Sequence, residues 1–293
     1  MVGIGEILWD IYRESRYLGG APTNVVVHAA QLGDEGIIVS RIGNDGMGKE
    51  LIRALKEKGV ITDFLQIDKK KGTGTVHISL SVSGEPSFFC TEDVAFDYIQ
   101  FNAELEKLAR RTDAVVFGTL AQRNGISRNT ILSFLDAVGG VRLFDVNARM
   151  PRGDFAELVK ASLQRTDILK TNRQELNLLK QIFHKEGDSD LAFSRFLMEL
   201  YKIRFVVLTR GAEGAAIIDQ NEAHVRKALP VAVVDSTGAG DAFAAAIVHK
   251  YLRNAEPEDM LDFATRLAAY VCTKKSATPP VDENILKAFA HNG

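Results

Sequence analysis

Cysteine is scarce, with two residues in 293. Cys90 and Cys272 show no metal or redox spacing, so no disulfide or thiolate framework is read, and the count fits a reducing cytosol. A surplus of charge of either sign is also missing. The 36 basic and 38 acidic residues leave a formal net charge of -2 and a pI near 6.3, which gives no electrostatic footprint for nucleic acid or an anionic membrane. The one basic run, Lys69 to Lys71, reads as a solvated turn. Long apolar runs are absent: Glu6 and Asp10 interrupt the first apolar segment, so neither a signal peptide nor a membrane span is read and a cytoplasmic location is expected. No internal repeat, linker or low-complexity tract breaks the chain. With 46% hydrophobic and 25% charged residues, it can bury a substantial core, and one domain over residues 1–293 is expected.

What is present concentrates around Asp235 to Asp241, which reads Asp-Ser-Thr-Gly-Ala-Gly-Asp. Val231, Ala232, Val233 and Val234 before it predict a buried strand, and Ala242 to Leu252 after it predict an amphipathic-looking helix. Gly238 and Gly240 mark the turn between them. Such a turn leaves backbone N–H groups without intrahelical partners, pointing at an anion together with the positive end of the helix dipole. Asp241, in the first turn, adds a carboxylate that the dipole is expected to keep ionised and that can accept a proton from a hydroxyl. A phosphate cradle beside a base reads as phosphoryl transfer to an alcohol. The same residues would also serve a plain tight turn with a favourable first-turn charge, since short glycine motifs recur by chance. No Lys follows the second glycine, as a Walker loop would require, and no GxGxxG follows the first strand, which argues against a nicotinamide oxidoreductase.

From the start of the chain, Val2 to Trp9 predicts the central strand of a sheet, ending at Asp10, and ligands of open α/β sheets bind beyond such ends. Gly19-Gly20-Ala21-Pro22-Thr23-Asn24 precedes a helix to about Leu32, with Gly33 as its stop and Asn24 as a candidate N-cap. The segment Arg41 to Gly48 launches a helix over Lys49 to Lys58. Between Thr73 and Val82 apolar and polar residues alternate, and Gly84-Glu85-Pro86 turns the chain into a second run through Phe88 and Phe89, which predicts a hairpin. His77, on the polar face, has no neighbour suggesting a metal site and reads as surface or interface. Beyond Asn102 helices and strands alternate, which predicts an α/β fold with a doubly wound, mostly parallel sheet flanked by helices. One of these strands ends in Asp145-Val146-Asn147-Ala148-Arg149, and a surface Arg after a turn is the plain reading of Arg149. Another, Asp167 to Lys170, leads into Asn172 and Glu175, which have capping-box spacing.

These segments together resemble the PfkB-type, ribokinase-like carbohydrate kinases over almost the whole chain, and GGAPTN and DVNAR are most similar to the fructokinase branch. Thr23 and Ala148 depart from the commoner Ala and Leu, and Ser276-Ala277-Thr278-Pro279-Pro280 departs from the usual G-A-x-x-x-P loop. The resemblance implies a ribokinase-like fold with a small β lid, about residues 11–18 and 72–101, through which a homodimer could form. It also implies a site. The Gly238, Ala239 and Gly240 amides become an anion hole, Asp241 the base, and Arg149 a contact to sugar or phosphate. Asp10, Gly19, Gly20 and Asn24 fall on the sugar side; Lys170, Asn172, Glu175, Thr209, Gly211 and Gly214 fall on the nucleotide side, with Glu175 organising magnesium through water. The ligands implied are a sugar, ATP and Mg2+, with room for a monovalent cation such as K+; neither nucleic acid nor membrane is expected. Fructose with ATP giving fructose 6-phosphate and ADP is the expected reaction. Phosphorylation of 2-keto-3-deoxygluconate or a ribokinase-type substrate is the alternative, and a non-catalytic sugar sensor on the same fold is the alternative of another class.

Overall fold

Short apolar runs separated by polar turns become strands whose two faces are both covered. The computed structural model describes residues 1–12, 15–80, 86–149, 153–282, 284–285 and 287. Its first part contains β1 (Val2–Ile4), β2 (Leu8–Tyr12), β3 (Ser15–Gly19), α1 (Ala21–Gln31), β4 (Ile37–Gly43), α2 (Gly46–Glu57), β5 (Leu65–Asp68), β6 (Gly74–Leu80) and β7 (Pro86–Cys90). The middle alternates α3 (Ala103–Arg110), β8 (Ala114–Phe117), α4 (Gly125–Ala137), β9 (Val141–Asp145), α5 (Phe155–Leu163), β10 (Ile168–Asn172), α6 (Arg173–Ile182), α7 (Asp190–Tyr201) and β11 (Phe205–Thr209). A hairpin, β12 (Ala215–Ile218) and β13 (Ala223–Arg226), precedes α8 (Ala239–Tyr251) and α9 (Pro257–Cys272).

The main sheet has nine strands in the order β13-β12-β11-β10-β9-β8-β1-β4-β5, parallel from β11 to β5 with an antiparallel hairpin at one end. The chain runs outward from β1 through β4 to β5, then returns to place β8 on the other side of β1. Strand order therefore reverses beside β1, where open α/β sheets bind ligands beyond their carboxyl ends. Side chains divide by parity along each strand. Val115 and Phe117 of β8 join the cluster containing Leu105, Phe134, Leu158 and Leu197, while Ala114 and Val116 join the cluster of α8 and α9. Both faces are buried, so these strands read as continuous apolar runs.

The smaller sheet, in the order β3-β2-β6-β7, pairs β2 with β6 in parallel and its other neighbours antiparallel. The expected single strand from Val2 to Trp9 is therefore two: β1 belongs to the main sheet, and after a break at residues 5–7 β2 crosses into the smaller one, carrying Asp10 with it. Both halves are apolar, so hydrophobicity alone does not mark the change of sheet. The hairpin β6–β7 forms as expected, and His77 is exposed. Val82, the turn residues Gly84 and Glu85, and residues 13–14 of the lid segments lie outside the described residues.

Two further expectations are corrected. Val231 to Val234 do not form a strand; Val231, Val233 and Val234 are 38%, 66% and 54% exposed, and backbone bonds to Cys272 tie down Val234 and Asp235. The helix α8 is not amphipathic: Ala242 to Val248 are all buried, enclosed by α1, α9 and the sheet. No helix among the described residues is long and apolar enough to cross a membrane.

Candidate active site

Beyond the carboxyl ends of β1, β8, β9, β10 and β11 lies a cavity of 390 Å³, within the range of small-molecule sites. Glu6 follows β1, Leu120 follows β8, Asn147 and Arg149 follow β9, and Asn172 and Thr209 close β10 and β11. The smaller sheet supplies the opposite wall through Leu8, Asp10, Val76 and Cys90. A second, more apolar groove of 640 Å³ runs between Gly211, Gly214, Val231, Val233, Phe243 and Ala268. The two share Asn172, Thr209, Ser236 and Gly240. A group passing from one to the other would cross the start of α8.

That start is built by the glycines. Gly238 has φ +80° and is the N-cap of α8; a side chain there would lie 2.5 Å from the Ala277 carbonyl oxygen. The segment 276–280 that it abuts is held by His28 Nε2 on the Ala277 carbonyl, 2.9 Å, and by Lys58 Nζ donating to the Thr278 carbonyl, 2.9 Å. Burial pushes the His28 pKa down to about 4, so the ring is neutral and donates from Nε2 at pH 7. Asp235 accepts from the Thr237 N–H at 2.8 Å, shaping the approach to the turn.

Asp241 lies in the first turn of α8, where Asn24 Nδ2 donates to its Oδ2 at 2.8 Å. Asn24 is thus not the N-cap of α1, a place taken by Gly20; it is a buried residue of α1 that orients Asp241. Burial pushes the Asp241 carboxyl up to about 6, with Asp145 adding to the rise and Asn24, Lys170 and Arg149 opposing it. Desolvation thus raises the group above an ordinary Asp, and it is still mostly ionised at pH 7. Asp10 is likewise pushed up to about 6 by burial, against Arg149. Gly19 does not line the cavity. Its role is clearance, since a Cβ there would stand 2.4 Å from Asp10 Oδ2.

Arg149 is reached through an unusual turn. Asn147 sits at φ +37°, a conformation that Asn tolerates better than most residues, and its Oδ1 accepts from Arg149 Nε at 2.8 Å. The residue is exposed, yet it lines the cavity and its charge lowers the pKa values of Glu6, Asp10 and Asp241.

Of the residues expected on the nucleotide side, Gly211 and Gly214 line the apolar groove, and Asn172 and Thr209 face both cavities; Ala239, expected in the anion hole, also borders the groove. Lys170 does not line the groove. It lies buried at the first cavity with Nζ 2.6 Å from Asp145 Oδ2, and stays protonated because Asp145, Glu175 and Asp241 outweigh its desolvation. Its Nζ also stands 3.5 Å from the position a Cβ would take on Gly240, beneath the cradle. Asn172 and Glu175 form the expected capping box, with reciprocal bonds of 2.9 Å. Glu175 Oε1 accepts a further backbone N–H from Ala148 at 3.3 Å, so each oxygen holds one backbone N–H and keeps one acceptor position. Burial first and Asp145 second raise its pKa. Among the described residues no group of three or more His, Cys, Asp or Glu is arranged to hold a metal directly.

Two participants escape sequence reasoning. Asp145 reads as the first letter of DVNAR, and its pairing with Lys170 spans 25 residues. Glu6 reads as an interruption of an apolar segment, but it is buried and lines the cavity, with its pKa pushed up to about 7 by burial.

The sequence model of the pfkB family carbohydrate kinases matches residues 10–284. A sugar kinase of Pyrococcus horikoshii is 31% identical over 288 residues, covering 94% of this chain and 88% of that protein. A fructokinase of Escherichia coli is 29% identical over 292 residues, covering 94% and 93%. The crystal structure of an uncharacterized Pyrococcus horikoshii sugar kinase in complex with ATP superposes with a TM-score of 0.84 at 27% identity, covering 98% of this chain and 97% of that one.

Proposed function

The chain belongs to the pfkB family of carbohydrate kinases, and we propose that within it the protein is a fructokinase, converting fructose and ATP to fructose 6-phosphate and ADP. It is a sugar kinase, a phosphotransferase with an alcohol group as acceptor. The observation that carries the assignment of roles is the shared edge of the two cavities, where the start of α8 brings Gly240 and Asp241 together. The first cavity takes the sugar, with Asp10 and Asn24 on its hydroxyls, and the apolar groove takes the purine of ATP. As the new O–P bond forms, the hydroxyl proton passes to Asp241 and the bond to the ADP oxygen breaks. The amides of Gly238 and Gly240, with Arg149, stabilise charge on the transferring group, and the Ala239 N–H, which donates to the Ser236 carbonyl at 3.2 Å, joins them by turning from that bond to the phosphate. Lys170 is a fixed positive charge beneath the cradle. Bound Mg2+ would neutralise phosphate charge; Glu175 fits an indirect hold through water, which suits an ion that dehydrates reluctantly.

A neutral acceptor is favoured over a sugar acid by the cavity's charge. Its lining carries five acidic residues, Glu6, Asp10, Asp145, Glu175 and Asp241, against two basic ones, and Lys170 is already paired with Asp145. The E. coli relative named a fructokinase supports the same choice. A coupled assay of ADP release across ketoses, aldoses, sugar acids and nucleosides tests it. Fructose should give the highest kcat/KM; preference for a sugar acid, ribose or a nucleoside would reassign the substrate, and binding without turnover of any would favour a sensor.

A further inference from the structure

Glu6 is a buried carboxylate, 1% exposed, at the turn that follows β1. Its Oε1 accepts the Ala21 N–H at 3.2 Å, while its Oε2 is buried with no hydrogen-bond partner among the described residues. An acceptor left unfilled in a protein interior is costly, and this one belongs to a side chain that lines the sugar cavity. Its backbone is firmly held: the Glu6 carbonyl accepts Thr23 Oγ1 at 3.1 Å and packs against Gly20, at the start of α1. On the same wall Asn24, whose amide nitrogen is committed to Asp241, presents an Oδ1 that is equally buried and without a partner among the described residues. Two unfilled oxygens on residues lining one cavity complement a ligand that offers hydroxyl groups, which can donate to a carboxylate or accept from a carboxylic acid. A purely structural anchor for the Ala21 N–H would need one oxygen only.

We propose that Glu6 is a sugar-contacting, specificity-determining residue of the kinase reaction, its Oε2 bonding one hydroxyl of the acceptor sugar. This rests on the reading that the first cavity holds the sugar. Asp241, Arg149 and Cys90 interact electrostatically with the same carboxyl, so a pH profile alone would mix several titrations. A hydroxyl-deletion series separates them.

The wild type is assayed on its best sugar and on analogues of it lacking one hydroxyl at a time, alongside Glu6→Ala and Glu6→Gln. Removing the contact should raise the sugar KM about 10-fold or more, with the KM for ATP within about twofold. One deoxy analogue that is poor for the wild type should cost the variant nothing further, while the other analogues keep their penalties. Glu6→Gln keeps the bond to Ala21 but can donate its amide N–H to the same hydroxyl, so it serves only as the control for folding; the comparison is made in Glu6→Ala or, where that melts more than a few degrees below the parent, in Glu6→Leu. Full penalties for every analogue in that variant would overturn the assignment. Failure of the wild type to phosphorylate any sugar would instead undo the kinase reading, so the two failures are distinguishable.

Discussion

Asp241 meets opposing demands: the start of α8 favours its charge, while burial and Asp145 disfavour it, and burial wins to set the carboxyl near 6. A carboxylate so placed is mostly ionised at pH 7 and, as the proposed base, a better proton acceptor than an ordinary Asp of about 3.9. Asp241→Asn should lower kcat by roughly 10² to 10⁴ with nucleotide KM little changed, as steady-state kinetics would show. In the wild type kcat/KM should decline as pH falls through 6, where the base protonates. Stability has the opposite sense. A folded pKa raised above the unfolded one stabilises fully below about pH 4 and ceases to do so as pH rises through 6. The ligand-free Asp241→Asn protein should therefore melt a few degrees above the parent at pH 8, roughly 1–2 kcal/mol after allowing for partial exposure, and with it at pH 4. Arg149→Lys keeps charge but loses the planar fork, and a fall of about 10² to 10³ in kcat is expected if the guanidinium meets the transferring group. Normal turnover would return Arg149 to the surface. Asp241, Arg149 and Asp10 are picked out in the sequence by the short motifs in which they stand, although Asp10 lies inside β2 and not at the end of a strand. Glu6 is not, because its partners come from the start of α1 and from the cavity.

The elements show which local signals fail. Val231 to Val234 have the composition of a buried strand, but Val231 and Val233 border the apolar groove and the segment remains exposed. β-branched content records a preference for apolar contact without saying whether the contact is core or ligand. The seven buried residues of α8 and the crossing of β2 into the smaller sheet fail for a related reason, since a run that is apolar throughout does not name its neighbours. Alternation from α3 to β11 is legible because helix and strand periods differ and each crossover is short. The smaller sheet forms one wall of the first cavity through Leu8, Asp10, Val76 and Cys90, so if that cavity takes the sugar as proposed, closing over it should steady the sheet's backbone. Amide exchange in Gly74–Leu80 and Pro86–Cys90 should slow at saturating sugar, by more than in β9 or β10. Unchanged exchange there would remove the lid assignment.

At the scale of the whole molecule, the ends of the sequence are locked together through α1. Asn24 bonds Asp241 and His28 bonds Ala277, while Lys58 of the following segment bonds Thr278, so contacts span 217, 249 and 220 residues. The nine-stranded sheet likewise places β1 in its interior, between β8 and β4, so the N-terminal part cannot be withdrawn without opening the sheet. The smaller sheet hangs from the same strand: β2 continues β1 after three residues, and the Trp9 indole donates to the Met47 carbonyl of α2 at 3.1 Å. On this interdependence we propose that the described residues form one cooperative domain. The single tryptophan reports on the smaller sheet, whereas far-UV circular dichroism reports mainly on the helices of the body. The two signals should trace one urea transition with the same midpoint and slope, and calorimetric and van't Hoff enthalpies should agree. If tryptophan fluorescence changed at clearly lower urea than the helical signal, the smaller sheet would be a separate unfolding unit, and the single-domain assignment would fail at β2.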